Sequence, residues 1–485
     1  MGFFGRKRAP SVPHPRKEPR FDGPLTLERL EQIFQDCVDF TKRPVSLGEG
    51  GACTLTLCYL SGMVKMERVS DYVLRPLAQD EALARCGTPR QAMEEMMGGA
   101  LYNLSAAERT TLDEAAFDLV AGWCLLFFPG ESAVLSLFVG TEEKRSISSP
   151  SNETVLKGSR DAFVESLRTN TSIVRRHLKT PELRIREQVV GRQSVTSVDI
   201  LYIEGLTNPH LVEQVAAQLA DIDIDAVLAT GNIEEYIVPA AQGRVGILID
   251  GLPLGYLAPG VLGDFLQAPQ DKSESWLLAS ALTLLRYLCM LGTLLLPALY
   301  VAMVTFHQEM IPTRLALSII AAKQDVPFRS VFEVIVLLLA FEILQEAGLR
   351  LPQSIGQTVS IIGGLVVGSA AVEAKIISPA VLIVVAIAGI AGYTMPSQEV
   401  AGALRIWRFL LALLASAAGL FGVVAGLSAL VIHLAGIESF GVSYLTPFAS
   451  NAGEQVEGHA VFRQPLPQVK QRPAALKTRN RRNQK

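Results

Sequence analysis

The sequence predicts an α/β N-terminal region of two similar subdomains followed by an α-helical polytopic membrane domain. Three observations carry this expectation. First, Tyr287–Phe306, Leu351–Val372, Ile376–Gln398 and Phe409–Ile437 contain no Asp, Glu, Lys or Arg, and each reaches the roughly 20 residues a helix needs to cross about 30 Å of hydrocarbon. Second, helical periods alternate with short β-rich runs ahead of Trp276. Third, the front half is similar to itself: Leu57–Gly62 precedes a helical stretch as Leu201–Gly205 does, and Leu126–Gly130 parallels Leu248–Gly251 as a strand running into a turn. A duplicated α/β module is the economical account.

The 485 residues are enough for two or three domains. A mean hydropathy of +0.31 is high for a soluble protein, and the apolar excess sits after Trp276. The net charge of −3 says little, because the charge is unevenly spread. Arg6, Lys7, Arg8, Arg16, Lys17 and Arg20 make the front basic, and no acid lies between Arg463 and Lys485. Basic flanks of membrane segments favour the cytoplasmic side, where they meet anionic lipid. A nucleic-acid role for the tails is set aside beside four apolar runs. The N-terminus has no apolar core of a signal peptide, so the front half is expected to stay cytoplasmic. Six cysteines form no CxxC pair and read as free thiols in a reducing compartment.

In chain order, residues 1–24 are expected to be a disordered basic lead and 25–140 a first cytoplasmic α/β subdomain. Within it Leu25–Thr41 reads as an amphipathic helix, and Thr54–Leu60 and Ala133–Val139 as strands. Ser, Pro and Asn make 141–158 a linker. The second subdomain, 159–272, holds helices near Arg160–Arg168 and Thr171–Lys179, a strand at Ser197–Ile203, a helix at Pro209–Asp221 and a hairpin around Asp250-Gly251. The helical membrane domain covers 273–440. Its first span, Leu277–Phe306, carries Arg286 near the interface, where an arginine can snorkel to the headgroups. Thr313–Lys323 is a short amphipathic helix expected on a surface. Val334–Phe341, bracketed by Glu333 and Glu342, is too short and acidic to face lipid, so Phe328–Gly348 is expected to be shielded, re-entrant or interfacial. Four crossings follow, with five or six left open. Residues 441–485 form a basic C-terminal tail.

The third apolar run carries the most specific pattern. Gly356, Ser360, Gly364 and Gly368 repeat every four residues, a ridge that lets helix backbones approach closely in lipid. Ordinary intramolecular packing accounts for such a ridge as well as self-association does. Beside it, Gln353, Gln357, Ser360, Gly364, Val367 and Ala371 form one stripe of small or uncharged polar groups with Val367 as an apolar constriction. A stripe of that type is able to line a narrow aqueous path, which requires several subunits because one helix cannot enclose a pore. Glu333 and Glu342, nine positions apart, fall on opposite helix faces, whereas Glu342 shares a face with Glu346 and Arg350. That face is either a structural ion-pair cluster or a cation-attracting vestibule.

Enzyme signatures fail. Gly48-Glu49-Gly50-Gly51 leads into a strand, although a phosphate cradle needs a helix N-terminus. Asp221, Asp223 and Asp225 alternate like a calcium loop, but Ala226 stands at its sixth position and Asn232 at its twelfth. The histidines, His307 and His433 among them, have no zinc spacing. No catalytic residue, metal or cofactor is expected.

Further motifs give the chain a resemblance. Ser166–Arg176 (SLRTNTSIVRR), Tyr202–Pro209 (YIEGLTNP), Leu296–Pro312 (LPALYVAMVTFHQEMIP), Phe341–Pro352 (FEILQEAGLRLP), Ile355–Ala374 (IGQTVSIIGGLVVGSAAVEA) and Phe440–Phe448 (FGVSYLTPF) are similar to the A subunits of bacterial spore germinant receptors, the GerA family, which includes SpoVAF-like proteins. The resemblance covers about Lys157–Ser450, and the part before it matches in layout. It implies a non-enzymatic subunit of the spore inner membrane that works with a transporter-like B subunit and a lipoprotein C subunit. It further implies a homo-oligomeric ring, a pentamer by family resemblance, that releases monovalent cations when a nutrient is sensed. Carried onto this chain, the resemblance implies that the pore helix is Ser354–Val372 with Gln357, Ser360, Gly364 and Val367 as its pore-lining residues, and that His307, Glu309 and Glu342 mark the mouth or a partner contact. The expected function is a nutrient-gated ion channel of germination. A secondary transporter with Glu342 or Glu373 as coupling carboxylate, and a non-conducting scaffold, are the rivals.

Overall fold

A computed structural model describes residues 20–47, 54–86, 88–101, 105–140, 162–191, 195–222, 243–253, 255–272, 274–350, 368–446, 448, 461–463, 465, 469, 471–480 and 482. The chain divides into two units, Met1–Pro259 with Lys470–Lys485, and Gly260–Val469. The expected linker 141–158, the glycines at 48–51 and most of the third apolar run lie outside the described residues.

In the first unit one order of elements runs twice. Helix α1 (Leu27–Ile33), strands β1 (Phe40–Ser46) and β2 (Thr54–Leu60), then β3 (Ala106–Arg109), helix α2 (Leu112–Val120) and strands β4 (Trp123–Phe127) and β5 (Val134–Phe138) make the first subdomain. Short helical turns occupy Met66–Glu95 between β2 and β3. Helix α3 (Leu167–His177), β6 (Leu183–Val190), β7 (Thr196–Ile203), α4 (Pro209–Ala220), β8 (Val245–Ile249) and β9 (Gly255–Ala258) make the second. The sheets are antiparallel, ordered β1-β2-β4-β5-β3 and β6-β7-β8-β9, so the second repeats the first without its edge strand β3. The turns agree too. Gly62 (φ 85°) and Gly205 (φ 74°) each follow by two residues the strand that leads into the connecting segment.

Local chemistry sets the helix starts. Thr26 accepts the Arg29 N–H and Thr111 the Glu114 N–H, while Asn208 accepts from His210 with Pro209 at the first helical position. The helix expected over Leu25–Thr41 is a correction: α1 stops at Ile33, Asp36 turns the chain at φ 60°, and Phe40 opens β1. The two helices expected over 160–179 are likewise a single one, α3. The Asn170 side chain brackets the Val164 N–H and C=O, and Asp250 Oδ1 takes the Leu167 N–H at 3.1 Å, which fixes where the helix begins. The last residues fold onto this unit: Arg479 N donates to Leu206 O at 3.1 Å, and Leu476 and Thr478 are buried.

The second unit is helical: α5 (Trp276–Thr305), α6 (Thr313–Lys323), α7 (Ser330–Arg350), α8 (Gly368–Glu373), α9 (Pro379–Gly392) and α10 (Gln398–Ala435). Around a buried apolar core that includes Leu294, Val301, Val334, Leu338, Val381 and Leu411, this unit also shows large apolar residues on its outside and several charged ones inside. Leu288, Ile383, Ile390, Ile406, Phe421 and Ile432 are exposed, whereas Asp271, Arg286, Glu333 and Arg408 are buried. A protein surrounded by lipid has this distribution, because apolar surface there needs no cover and charge does. Trp276–Thr305 is long and apolar enough to cross a membrane, and Val400–Ala435 is so only when its length is counted through the break at Gly419. Helix α6 has no buried residue, in keeping with a surface position.

Two expected crossings differ from the structure. The run Ile376–Gln398 yields a helix of only 14 residues, Pro379–Gly392, roughly 21 Å long at 1.5 Å per residue. The run Phe409–Ile437 is not one straight crossing. At Gly419 the backbone takes φ 62°, ψ −140°, a conformation open to glycine and costly for other residues. Beyond it the chain returns: Gly426 packs on Leu411 and Leu414, and the rings of Trp407 and His433 are 5.9 Å apart. In a straight helix residues 411 and 426 would be about 22 Å apart. Helix α10 is thus a hairpin of two arms, 398–418 and 420–435.

Candidate functional site

Charge buried among apolar helices needs a partner, and among the described residues the helical unit assembles three such groupings. In the first, Arg286 of α5 donates through Nη2 to Asp271 Oδ1 at 3.0 Å, with Nη1 on Oδ2. Asp271 is held by the Ala268 N–H on Oδ2 at 2.9 Å, while Arg463 Nη1 donates to its carbonyl at 2.8 Å. The expected snorkelling of Arg286 is therefore corrected. Its counter-ion arrives from the turn ahead of α5, so the guanidinium is neutralised inside the protein.

The second grouping joins α7 to α10. Glu342 pairs with Arg408 and, at 3.2 Å, with Arg405. Beside it lies a cavity of about 40 Å³ reached by Thr293, Gln345, Tyr393, Arg405 and Arg408, room for a few waters. Pro297 lacks the N–H that would bond the Thr293 carbonyl; the Thr293 hydroxyl, a separate group, donates to the Ala388 carbonyl of α9 at 3.0 Å and ties α5 to it. The third grouping sits on the other side of α7, as the nine-residue spacing requires. Glu333 Oε2 accepts the Ser378 N–H at 2.8 Å, and Oε1 lies 3.3 Å from Lys323 Nζ.

Of the residues singled out from sequence, Gly356, Gln357, Ser360, Gly364 and Val367 lie outside the described residues. Gly368 is buried with Leu382 of α9 against it, an intramolecular contact. His307 follows α5 with Nδ1 3.4 Å from the Ala302 carbonyl, and the Gly419 turn rests against it and Phe306. Glu309 is exposed in the next turn. The structure joins His307 and Glu309 in one segment and gives Glu342 to the arginine pair further along. Sequence reasoning missed Asp271, Lys323, Ser378, Arg405 and Arg408. The signal available was their place at the margins of the apolar runs, where an unpaired charge is costly.

In the α/β unit, burial pushes the Asp199 carboxyl up to about 7, Glu187, Asp39 and Asp250 add to the push, and Arg168 opposes it. Burial first, and Glu31 second, push the Cys58 thiol up to about 12, and burial does the same for Cys124. These thiols are poor nucleophiles.

The profile of the Bacillus/Clostridium GerA spore germination protein family matches residues 28–241 and 239–475. The uncharacterized membrane protein YfkQ of Bacillus subtilis (strain 168) is 36% identical over 452 residues, 89% of this chain and 87% of the relative. Spore germination protein KA of the same strain is 34% identical over 461 residues, 90% of this chain and 84% of the relative. A crystal structure of the N-terminal domain of the A subunit of the Bacillus megaterium spore germinant receptor GerK3 is 23% identical with a TM-score of 0.39, covering 50% of this chain and 99% of that one.

Proposed function

The chain belongs to the GerA spore germination protein family, and we propose that it is a membrane subunit of a germinant receptor whose copies form a nutrient-gated channel for monovalent cations. The observation that carries the membrane part is the apolar outer surface of the helical unit, with Ile390, Ile406 and Phe421 outward, together with the buried charges of Asp271, Glu333 and Arg408. The conducting element is the glycine-rich helix of the third run, with Gln357, Ser360, Gly364 and Val367 facing a shared axis. One helix cannot enclose a pore, so the active form is a ring of identical chains. Folding of residues 471–480 onto the α/β unit favours an even number of crossings, with both chain ends on the cytoplasmic side of the spore inner membrane.

Gating follows from differential contacts. A B subunit that holds nutrient favours the open ring by binding it more tightly than the closed one, and a lipoprotein C subunit completes the complex. Reconstitution into potassium-loaded liposomes tests this reading. The parent is expected to leak slowly, and Val367→Ala, which widens the apolar constriction, to leak at least several-fold faster. Cysteines placed along 354–372 are expected to cross-link neighbouring copies. Absence of potassium efflux from parent and variant alike, with no cross-linking, overturns the channel and leaves the scaffold.

A further inference from the structure

Three buried oxygens meet where α5, α7 and the start of α9 converge. They belong to Tyr300, Glu333 and Ser378, which are 6%, 1% and 1% exposed. The Tyr300 and Ser378 hydroxyls are neighbours. Yet Tyr300 Oη, Ser378 Oγ and Glu333 Oε1 each lack a hydrogen bond among the described residues. Buried polar atoms are nearly always satisfied; Glu333 Oε1 has an ion-pair partner in Lys323, which leaves the two hydroxyls beside it in want of one. Lys323 Nζ lies 3.3 Å from Glu333 Oε1 and also hydrogen-bonds Ser330 Oγ. Its side chain is 25% exposed and it ends α6, the helix without a buried residue.

We infer that Glu333 Oε1, Ser378 Oγ and Tyr300 Oη form a binding site for a monovalent alkali cation, and that the Lys323 ammonium is its tethered competitor. Oxygen donors suit hard cations. A single carboxylate among neutral hydroxyls balances one positive charge, whereas a divalent ion would leave an uncompensated charge inside the helices. Exchange of ammonium for alkali ion keeps that balance, so neither state strands a buried charge. Helix α6 gives up no buried side chain when Lys323 withdraws. The Ser378 N–H on Oε2 keeps the carboxylate aimed throughout. The inference deepens the proposed conduction, because it gives a dehydrated cation a resting place inside the helical unit.

The test measures binding of ⁸⁶Rb⁺ to the full-length protein in nanodiscs. Lys323→Ala is expected to raise affinity at least tenfold, and Lys323→Ala with Glu333→Gln to abolish binding. Tyr300→Phe and Ser378→Ala in the Lys323→Ala background are expected to weaken it several-fold. A second readout needs no variant: rubidium chloride, compared with choline chloride, increases acylation of Lys323 in the parent by an amine-reactive reagent. If Lys323→Ala binds no more tightly than the parent, or rubidium leaves Lys323 acylation unchanged, the site is refuted. Liposome efflux on the same preparations separates the two readings. Rubidium binding without efflux removes the channel and keeps the site, and efflux without rubidium binding that responds to Lys323→Ala does the reverse.

Discussion

Arg175 of α3 and Asp39, just ahead of β1, form a two-pronged ion pair in the interior of the α/β unit, with Nη2 2.8 Å from Oδ1 and Nε on Oδ2. Their side chains are 1% and 7% exposed, and they belong to different subdomains. Next to them Val38 N donates to the Ile185 carbonyl, and Arg175 Nη1 reaches the Leu183 carbonyl at 3.3 Å. The pair therefore fastens one α/β repeat to the other. Removing one partner leaves a buried charge uncompensated, which costs about 3–5 kcal/mol. Arg175→Met and Asp39→Asn are each expected to lower the denaturant midpoint of this unit by that order. The double variant is expected to recover much of the loss. A double variant as unstable as the two singles combined would show that the pair is not coupled.

Asp199 makes the α/β unit sensitive to pH. Its carboxyl sits on β7, pushed up to about 7 by burial, with Arg168 Nη1 at 3.1 Å from Oδ2. The folded carboxyl thus holds its proton where the unfolded one, near 3.9, has released it. The folded state binds more protons between about pH 4 and pH 7, so stability falls as pH rises through that window and levels off above it. The loss is on the order of a few kcal/mol at most. Hydrogen exchange along Thr196–Ile203 checks this: protection in the parent, relative to Asp199→Asn at the same pH, is expected to fall from pH 5 to pH 8. A constant ratio would mean the carboxylate is ionised throughout.

Strands with clean borders were legible from residues alone. Thr54–Leu60 is β2 as expected, Ala133–Val139 holds β5, and Pro209–Asp221 ends within one residue of α4, because Asn208-Pro209 punctuates its start. The repeat was legible from its glycine turns. Leu25–Thr41 misled because its apolar spacing continues past Asp36, and nothing local announces that this residue turns left-handed. In the helical unit the losses are tertiary. Arg286 reads as an interface residue until Asp271 supplies its counter-ion, and Lys323 reads as the end of a surface helix until Glu333 faces it. The hairpin was hidden in a run rich in Gly and Ala, where any of several glycines could turn.

The Glu342 grouping predicts an asymmetry. Glu342→Gln leaves two guanidiniums, Arg405 and the nearly buried Arg408, without their carboxylate. Arg408→Met leaves Glu342 still paired with Arg405 at 3.2 Å. The first variant is expected to be the more destabilising by about 2 kcal/mol or more, since breaking a buried pair costs more when charge is left behind. Thermal aggregation in detergent measures it. Equal losses would mean that water entering the neighbouring cavity solvates the arginines.

Gly419 predicts a geometry that no straight helix can imitate. Cysteines at Leu411 and Gly426 would be about 22 Å apart along one helix, far beyond the ~7 Å limit between Cα atoms for a disulfide. In the hairpin these two positions pack against each other. Oxidation of the Leu411→Cys, Gly426→Cys variant, in a background without native cysteines, is therefore expected to form an intramolecular disulfide. A shift in gel mobility of the monomer reports it. Gly419→Ala tests the turn itself: the backbone there is strained for alanine, and the added carbon would sit 2.7 Å from His307 Cε1. This variant is expected to cut the cross-linking yield several-fold by opening the hairpin. Cross-links that form only between chains, and survive Gly419→Ala, would require two straight helices side by side in place of one folded helix.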